Sequence, residues 1–230
     1  MKQDFEDDAL GMGTHPVSGQ PIRIGVMGAA SGEYPPAILE QCRLLGAAIA
    51  RRGCCILTGA CPGLPQAAVI GAKGISRGHA IGISPAMSFR EHVEVFDAPW
   101  REFDVLIYTG LGFMGRELIN IRSSDIVIVV GGGSGTLGEY AIAYDEGKLI
   151  GVLTGTGGVA DVLGQINGEL HKNTGAEVFY RSDPESLVTL LLKRFHADSY
   201  SCPCDPKKGG KVVRGDKETD ACCISPVIEK

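Results

Sequence analysis

The stretch Asp125–Glu139 reads DIVIVVGGGSGTLGE. Its first half, Ile126–Val130, is apolar and β-branched with no polar alternation. That composition suits a strand covered on both faces, as in a parallel sheet between helix layers, and not an exposed hairpin. Its second half is glycine-rich. Glycine permits a tight turn and leaves no side chain between the backbone and anything bound there. A strand feeding such a loop and then a helix offers unsatisfied N–H groups and the positive end of a helix dipole to an anion. In open α/β sheets ligands lie at these carboxyl ends of strands.

The remaining chain repeats the alternation. Strands are expected at Arg23–Met27, Cys55–Leu57, Ala80–Ser84, Phe103–Tyr108, Asp125–Val130, Leu149–Leu153 and Val178–Tyr180. Helical spacing falls at 36–52, 64–76, 116–123, 137–147, 158–166 and 183–194. Residues 85–101 form an excursion without strong periodicity. Pro35-Pro36 suits a helix start. Strands separated by short helical crossovers favour a parallel sheet, so the fold class is α/β with a mostly parallel central sheet. Three segments follow: a flexible N-terminal arm over 1–20, one domain over 21–198, and a cysteine-containing tail over 199–230.

Composition narrows the function. The 33 glycines have no three-residue period, which excludes a collagen-like chain. A formal charge of -5, with 22 basic and 27 acidic residues, gives no electrostatic footprint for nucleic acid. Residues 1–10 are acidic and lack the apolar core of a secretory signal, and no apolar run is long enough to cross a bilayer. A cytoplasmic location without a membrane partner is expected. Cys42, Cys54, Cys55 and Cys61 are read as buried thiols. Cys202, Cys204, Cys222 and Cys223 cluster in the polar tail and supply four thiols that suit zinc in number. Their spacing is not the usual paired CxxC, so a loose, redox-labile tail is the favoured reading. No histidine belongs to a spaced motif, and Trp100 is assigned to packing.

Two familiar nucleotide motifs are resisted. Gly110-x-Gly112-x-x-Gly115 and Gly133-x-Gly135-x-x-Gly138 both match GxGxxG, but neither lies in the first strand-turn-helix unit. No Lys-Ser/Thr pair closes either loop as a P-loop requires. Within the loop, Thr136-Leu137-Gly138-Glu139 fits a capping box that would turn Glu139 onto backbone N–H groups. The alternative places the same acid beside a bound sugar, where it stabilises positive charge at C1′ or orients a water. Arg116, 23 residues upstream, can grip a phosphate or a base-side group in bidentate fashion. Arg122 ranks lower, Asn120 can orient a ligand or cap backbone, and Asp125 is expected to cap or to pair with Arg122.

The segment Arg116–Glu139, RELINIRSSDIVIVVGGGSGTLGE, resembles the LOG family of nucleoside-monophosphate phosphoribohydrolases, long labelled lysine decarboxylase-like. That family carries a PGGxGTxxE loop and an upstream arginine. A weaker resemblance runs from about Arg23 to Arg194 and includes GVMGAASG and TGACPGLPQAAVIGA. It implies a Rossmann-like three-layer sandwich, a homodimer with the site near the interface, and no metal or redox cofactor. It also implies Arg116 and Glu139 as catalytic residues that release a free base and ribose 5-phosphate from a nucleoside 5′-monophosphate. Gly131, Gly132, Gly133, Ser134, Gly135 and Thr136 would hold the phosphate. Gly28, Ser31 and the Gly59–Gly63 loop would complete the pocket. Two departures stand out: Gly131 replaces the loop proline, and Glu117 replaces the lysine after the arginine. The triple glycine looks closer to a neighbouring branch of nucleotide-binding and molybdenum-cofactor carrier proteins. There the expectation becomes a carrier or sensor of a phosphorylated pterin or nucleotide.

Overall fold

A computed structural model describes residues 12–197. The seven strands are β1 (Arg23–Gly28), β2 (Cys55–Thr58), β3 (His79–Ser84), β4 (Val105–Tyr108), β5 (Ile126–Val130), β6 (Leu149–Leu153) and β7 (Glu177–Arg181). They form one sheet in the order β4-β3-β2-β1-β5-β6-β7, and every pairing is parallel. The sheet is therefore wholly parallel where the sequence suggested mostly parallel. Its centre is apolar throughout, and all five residues of β5 are buried.

Seven helices are present among the described residues: α1 (Pro36–Arg51), α2 (Leu64–Lys73), α3 (Phe89–Glu94), α4 (Gly112–Ser123), α5 (Ser134–Asp145), α6 (Gly158–Glu169) and α7 (Pro184–His196). Leu45 and Ile49 of α1, Leu64 and Val69 of α2, and Leu187 and Leu191 of α7 fill one core against one sheet face. Ile121 of α4, Tyr140 of α5 and Leu163 of α6 fill the other. This is a Rossmann-like three-layer sandwich. Burying each of the aliphatic side chains among them contributes roughly 1.5–3 kcal/mol.

The chain builds β1 to β4 outward in one direction, then returns so that β5 lies on the other side of β1. The sheet's switch point is thus the β1–β5 seam. Gly28, the last residue of β1, leaves room there for the Val130 backbone, which a Cβ would strike.

Several local readings change. Residues 12–20, taken as the end of a loose arm, fold back on the body. The His15 ring accepts the N–H groups of Val17 and Ser18, and the ring of His196 in α7 donates to the Met12 carbonyl at 2.8 Å. The 85–101 excursion contains α3, capped by the Ser88 hydroxyl. It is braced by buried His92, which bonds Ser84 at 2.8 Å and the Pro99 carbonyl at 3.0 Å. Trp100 packs edge-on against Phe89. Asp125 does not pair with Arg122. It receives the backbone N–H and the guanidinium of Arg23, while Arg122 bonds Glu146 at 2.7 Å. Asp125 sits at the foot of β5 beside the foot of β1, so Arg23 is its nearest cation.

Candidate functional site

Parallel strands place all their carboxyl ends along one edge. The loops after β1, β2 and β5 therefore converge with the N-terminal halves of α4 and α5. They surround a cavity of about 710 Å³ at the switch point. Gly28 and Ser31 line it from β1, Gly59 and Cys61 from β2, and Gly132, Gly133, Ser134, Gly135 and Thr136 from the loop after β5. Arg116, Glu117 and Glu139 project into it. Gly131 is the exception among the expected loop residues. It lies behind the lining, and its N–H donates to Thr156 Oγ1 at 2.9 Å.

The loop geometry follows from its neighbours. The N–H groups of Val159 and Ala160, at the start of α6, donate to the carbonyls of Gly132 and Gly131 at 2.9 and 3.0 Å. The loop's carbonyls are thus occupied from behind. Gly158 makes this approach possible, since its φ is +56° and a Cβ there would collide with the Gly132 carbonyl oxygen. The β1 loop repeats the arrangement, with Leu64 N–H at the start of α2 donating to the Ala29 carbonyl at 3.0 Å.

Helix α5 begins at Ser134, three residues earlier than the sequence suggested, with Gly133 as its N-cap and no capping side chain. Thr136 and Glu139 consequently lie inside the helix, and the capping-box reading fails. An uncapped helix start leaves N–H groups without intrahelical partners, and Ser134, Gly135 and Thr136 of that first turn line the cavity.

Arg116 does not open its helix either. It lies in the second turn of α4, and only 6% of it is exposed. Its Nη2 donates to the Cys61 sulfur at 2.8 Å, while Nε and Nη1 have no hydrogen-bond partner. The guanidinium lies against Gly59, where any Cβ would overlap Nη1. A buried guanidinium with free donors is costly, and an anion satisfies it with directional bonds.

Glu139 is buried, and its carboxyl is pushed up to about 7. Loss of solvent is the main cause. Glu117 adds to the shift, while Arg116 and the Asn120 amide oppose it. Burial also pushes the Glu117 carboxyl up, against the pull of Arg116, and burial raises the Cys61 thiol. The site thus brings together Arg116, Glu139 and the loop. Gly59 and Cys61 of the expected Gly59–Gly63 loop line it as well, and both lie against Arg116, which is remote in sequence. The four tail cysteines, Cys202, Cys204, Cys222 and Cys223, lie outside the described residues. Among the described residues no group of three or more His, Cys, Asp or Glu side chains suits a metal ion. No helix there is long and apolar enough to cross a membrane.

A wholly parallel sheet with a cavity at its switch point defines a Rossmann-like fold of the ligand-binding kind. The chain belongs to the SLOG cluster4 family, whose model matches residues 21–188. This agrees with the LOG-like resemblance of the glycine loop. An uncharacterized protein of Archaeoglobus fulgidus is 36% identical over 129 residues, 56% of this chain and 78% of that one. The molybdenum cofactor binding protein of Rippkaea orientalis is 33% identical with a TM-score of 0.62, over 76% of this chain and 98% of that one. The molybdenum cofactor carrier protein of Chlamydomonas reinhardtii is 30% identical with a TM-score of 0.61, over 76% and 98%.

Proposed function

We propose that this protein binds a phosphorylated, ring-bearing small molecule of the nucleotide or pterin class in the switch-point cavity and holds it as a carrier. The observation that carries this reading is Arg116, whose buried Nε and Nη1 lack partners beside an uncapped helix start. A phosphate monoester satisfies both features at once: the loop and helix N–H groups take some of its oxygens and Arg116 takes another. In this reading Gly132, Gly133, Ser134, Gly135 and Thr136 hold the anion. Gly28 and Ser31 bound the pocket, and Gly131 shapes the loop from behind. The likeness to two molybdenum-cofactor-binding proteins supports a pterin as the ring.

A second reading, hydrolysis of the N-glycosidic bond of a nucleoside 5′-monophosphate, is favoured by Glu139. A carboxyl titrating at about 7 changes charge near neutral pH, as a general base or an oxocarbenium stabiliser requires. Arg116 would then position the nucleotide while Glu139 supports the developing cation and its water.

One experiment separates the two. The pure protein is mixed with AMP, GMP, CMP and IMP, affinity is read by calorimetry, and free base by chromatography. Binding without base release supports the carrier. Base release lost in both Arg116→Ala and Glu139→Ala, with affinity retained in the latter, supports the hydrolase. Failure of every ligand to bind, or binding indifferent to Arg116→Ala, overturns the anion site itself.

A further inference from the structure

The cavity carries more than an anion pole. Arg116 is followed on α4 by Glu117, which is 7% exposed and also lines the cavity. Its Oε2 lies 3.3 Å from where a Cβ on Gly138 would stand, and its Oε1 lies 3.6 Å from the same position on Gly135. The carboxylate therefore rests on the bare backbone of α5's first turns. No hydrogen bond or ion pair joins it to any described residue. An acid so placed opposes phosphate binding at that spot and pays a desolvation penalty in the free protein. Both are understandable if a ligand supplies hydrogen-bond donors there.

A second observation lies on the same helix. Phe113 and Met114 stand four and three residues before Glu117, which puts them on its face of α4. Both line the cavity, and both are largely exposed, at 54% and 74%. Phe113 is steadied edge-on by Phe96, with ring centroids 5.2 Å apart. An aromatic ring and a thioether form an apolar platform for a flat ring. Platform and carboxylate together describe a seat for a heterocycle whose edge bears donors.

We propose that Glu117 reads the donor edge of a 2-amino-oxo heterocycle, the edge shared by guanine and pterin, while Phe113 and Met114 support the ring. A carboxylate offers two acceptors side by side, which match a ring N–H and its neighbouring exocyclic amine in bidentate fashion. Adenine and cytosine place an acceptor where one of those donors is needed, so they leave a carboxylate oxygen unpaired. Hypoxanthine keeps the ring N–H and lacks the amine. The assignment rests on the anion-binding reading of the cavity and deepens it by naming the ring.

The test is calorimetric titration of GMP, IMP and AMP into the full-length protein, Glu117→Gln, Glu117→Ala and Arg116→Ala. Wild type is expected to bind GMP about 10- to 100-fold more tightly than AMP, with IMP between them. Glu117→Ala is expected to collapse that ratio to within about threefold, with GMP weakened and AMP bound at least as tightly as by wild type because the opposing carboxylate is gone; retained AMP binding also reports an intact fold. Glu117→Gln retains one acceptor and is expected to fall between. Dihydroneopterin monophosphate carries the same edge on a pterin. Whichever of it and GMP binds tighter names the source of the ring, and either result supports the proposal. Equal wild-type affinity for GMP and AMP, or a uniform loss for all ligands in the Glu117 variants, overturns it. If those equal affinities still fall in Arg116→Ala, the anion site stands and only the role of Glu117 is lost. If no ligand binds wild type, both readings fall.

Discussion

Arg116 and Glu139 share a desolvated cavity, so each sets the behaviour of the other. Replacing Arg116 by alanine removes a charge that holds the Glu139 carboxyl down, and its titration should move above about 7, read by carboxyl carbon NMR. The same substitution should weaken a bound phosphate monoester about 10- to 100-fold or more, read by calorimetry. Glu139 also makes stability depend on pH. Its proton is held more tightly in the folded protein than in the unfolded chain. Between about 4.5 and about 7 the native state therefore binds more protons, and stability falls as pH rises through that window. Above it the loss is complete. Glu139→Gln should flatten this part of the profile and raise ligand-free stability at pH 8 by about 1–3 kcal/mol, measured by chemical denaturation. Glu139, just past the glycine loop, and Arg116, paired with it by the family resemblance, were singled out in the sequence, and both line the cavity. Cys61 was legible as a buried thiol within the pocket-completing Gly59–Gly63 loop, but its contact with Arg116 spans 55 positions and leaves no local pattern.

The elements around the cavity trade stability for open backbone groups. Helix α5 starts without a side-chain cap, and an acid at its N-cap would fill that role. Gly133→Asp should stabilise the ligand-free protein by a few tenths of a kcal/mol and weaken anion binding at least about tenfold, since the new carboxylate competes for the same N–H groups. Gly158→Ala tests the support behind the loop. A side chain at φ +56° is strained and also strikes the Gly132 carbonyl oxygen. A loss of about 2 kcal/mol or more is expected in thermal or chemical unfolding, together with weaker ligand binding. These contacts explain why sequence pattern placed the start of α5 three residues late. Ser134-Gly135-Thr136 has poor helix propensity and resembles a cap followed by a turn. The grip of α6 on the preceding carbonyls sets the helix start instead, and that grip is tertiary.

At the scale of the whole molecule, strand-helix alternation was enough to indicate a parallel α/β sheet. The strand order was not legible, because nothing local records that β5 returns to the far side of β1. Edge strand β4 exposes Val105 and Ile107, and α4 exposes Leu111, Phe113 and Met114. We propose that a second copy of the chain covers the Val105, Ile107 and Leu111 part of this surface and leaves Phe113 and Met114 to the cavity; a homodimer is what the family resemblance implies. Sedimentation should then give about twice 24.2 kDa, and Ile107→Glu should shift the population toward monomer. The loop carbonyls held by α6 and α2 have a wider consequence. The donors that Gly132 to Thr136 bring to the cavity belong to the main chain, and no substitution other than proline removes a backbone N–H. Descendants of such a scaffold can exchange the side chains at 116, 117 and 139, and with them the chemistry, while inheriting the same backbone seat.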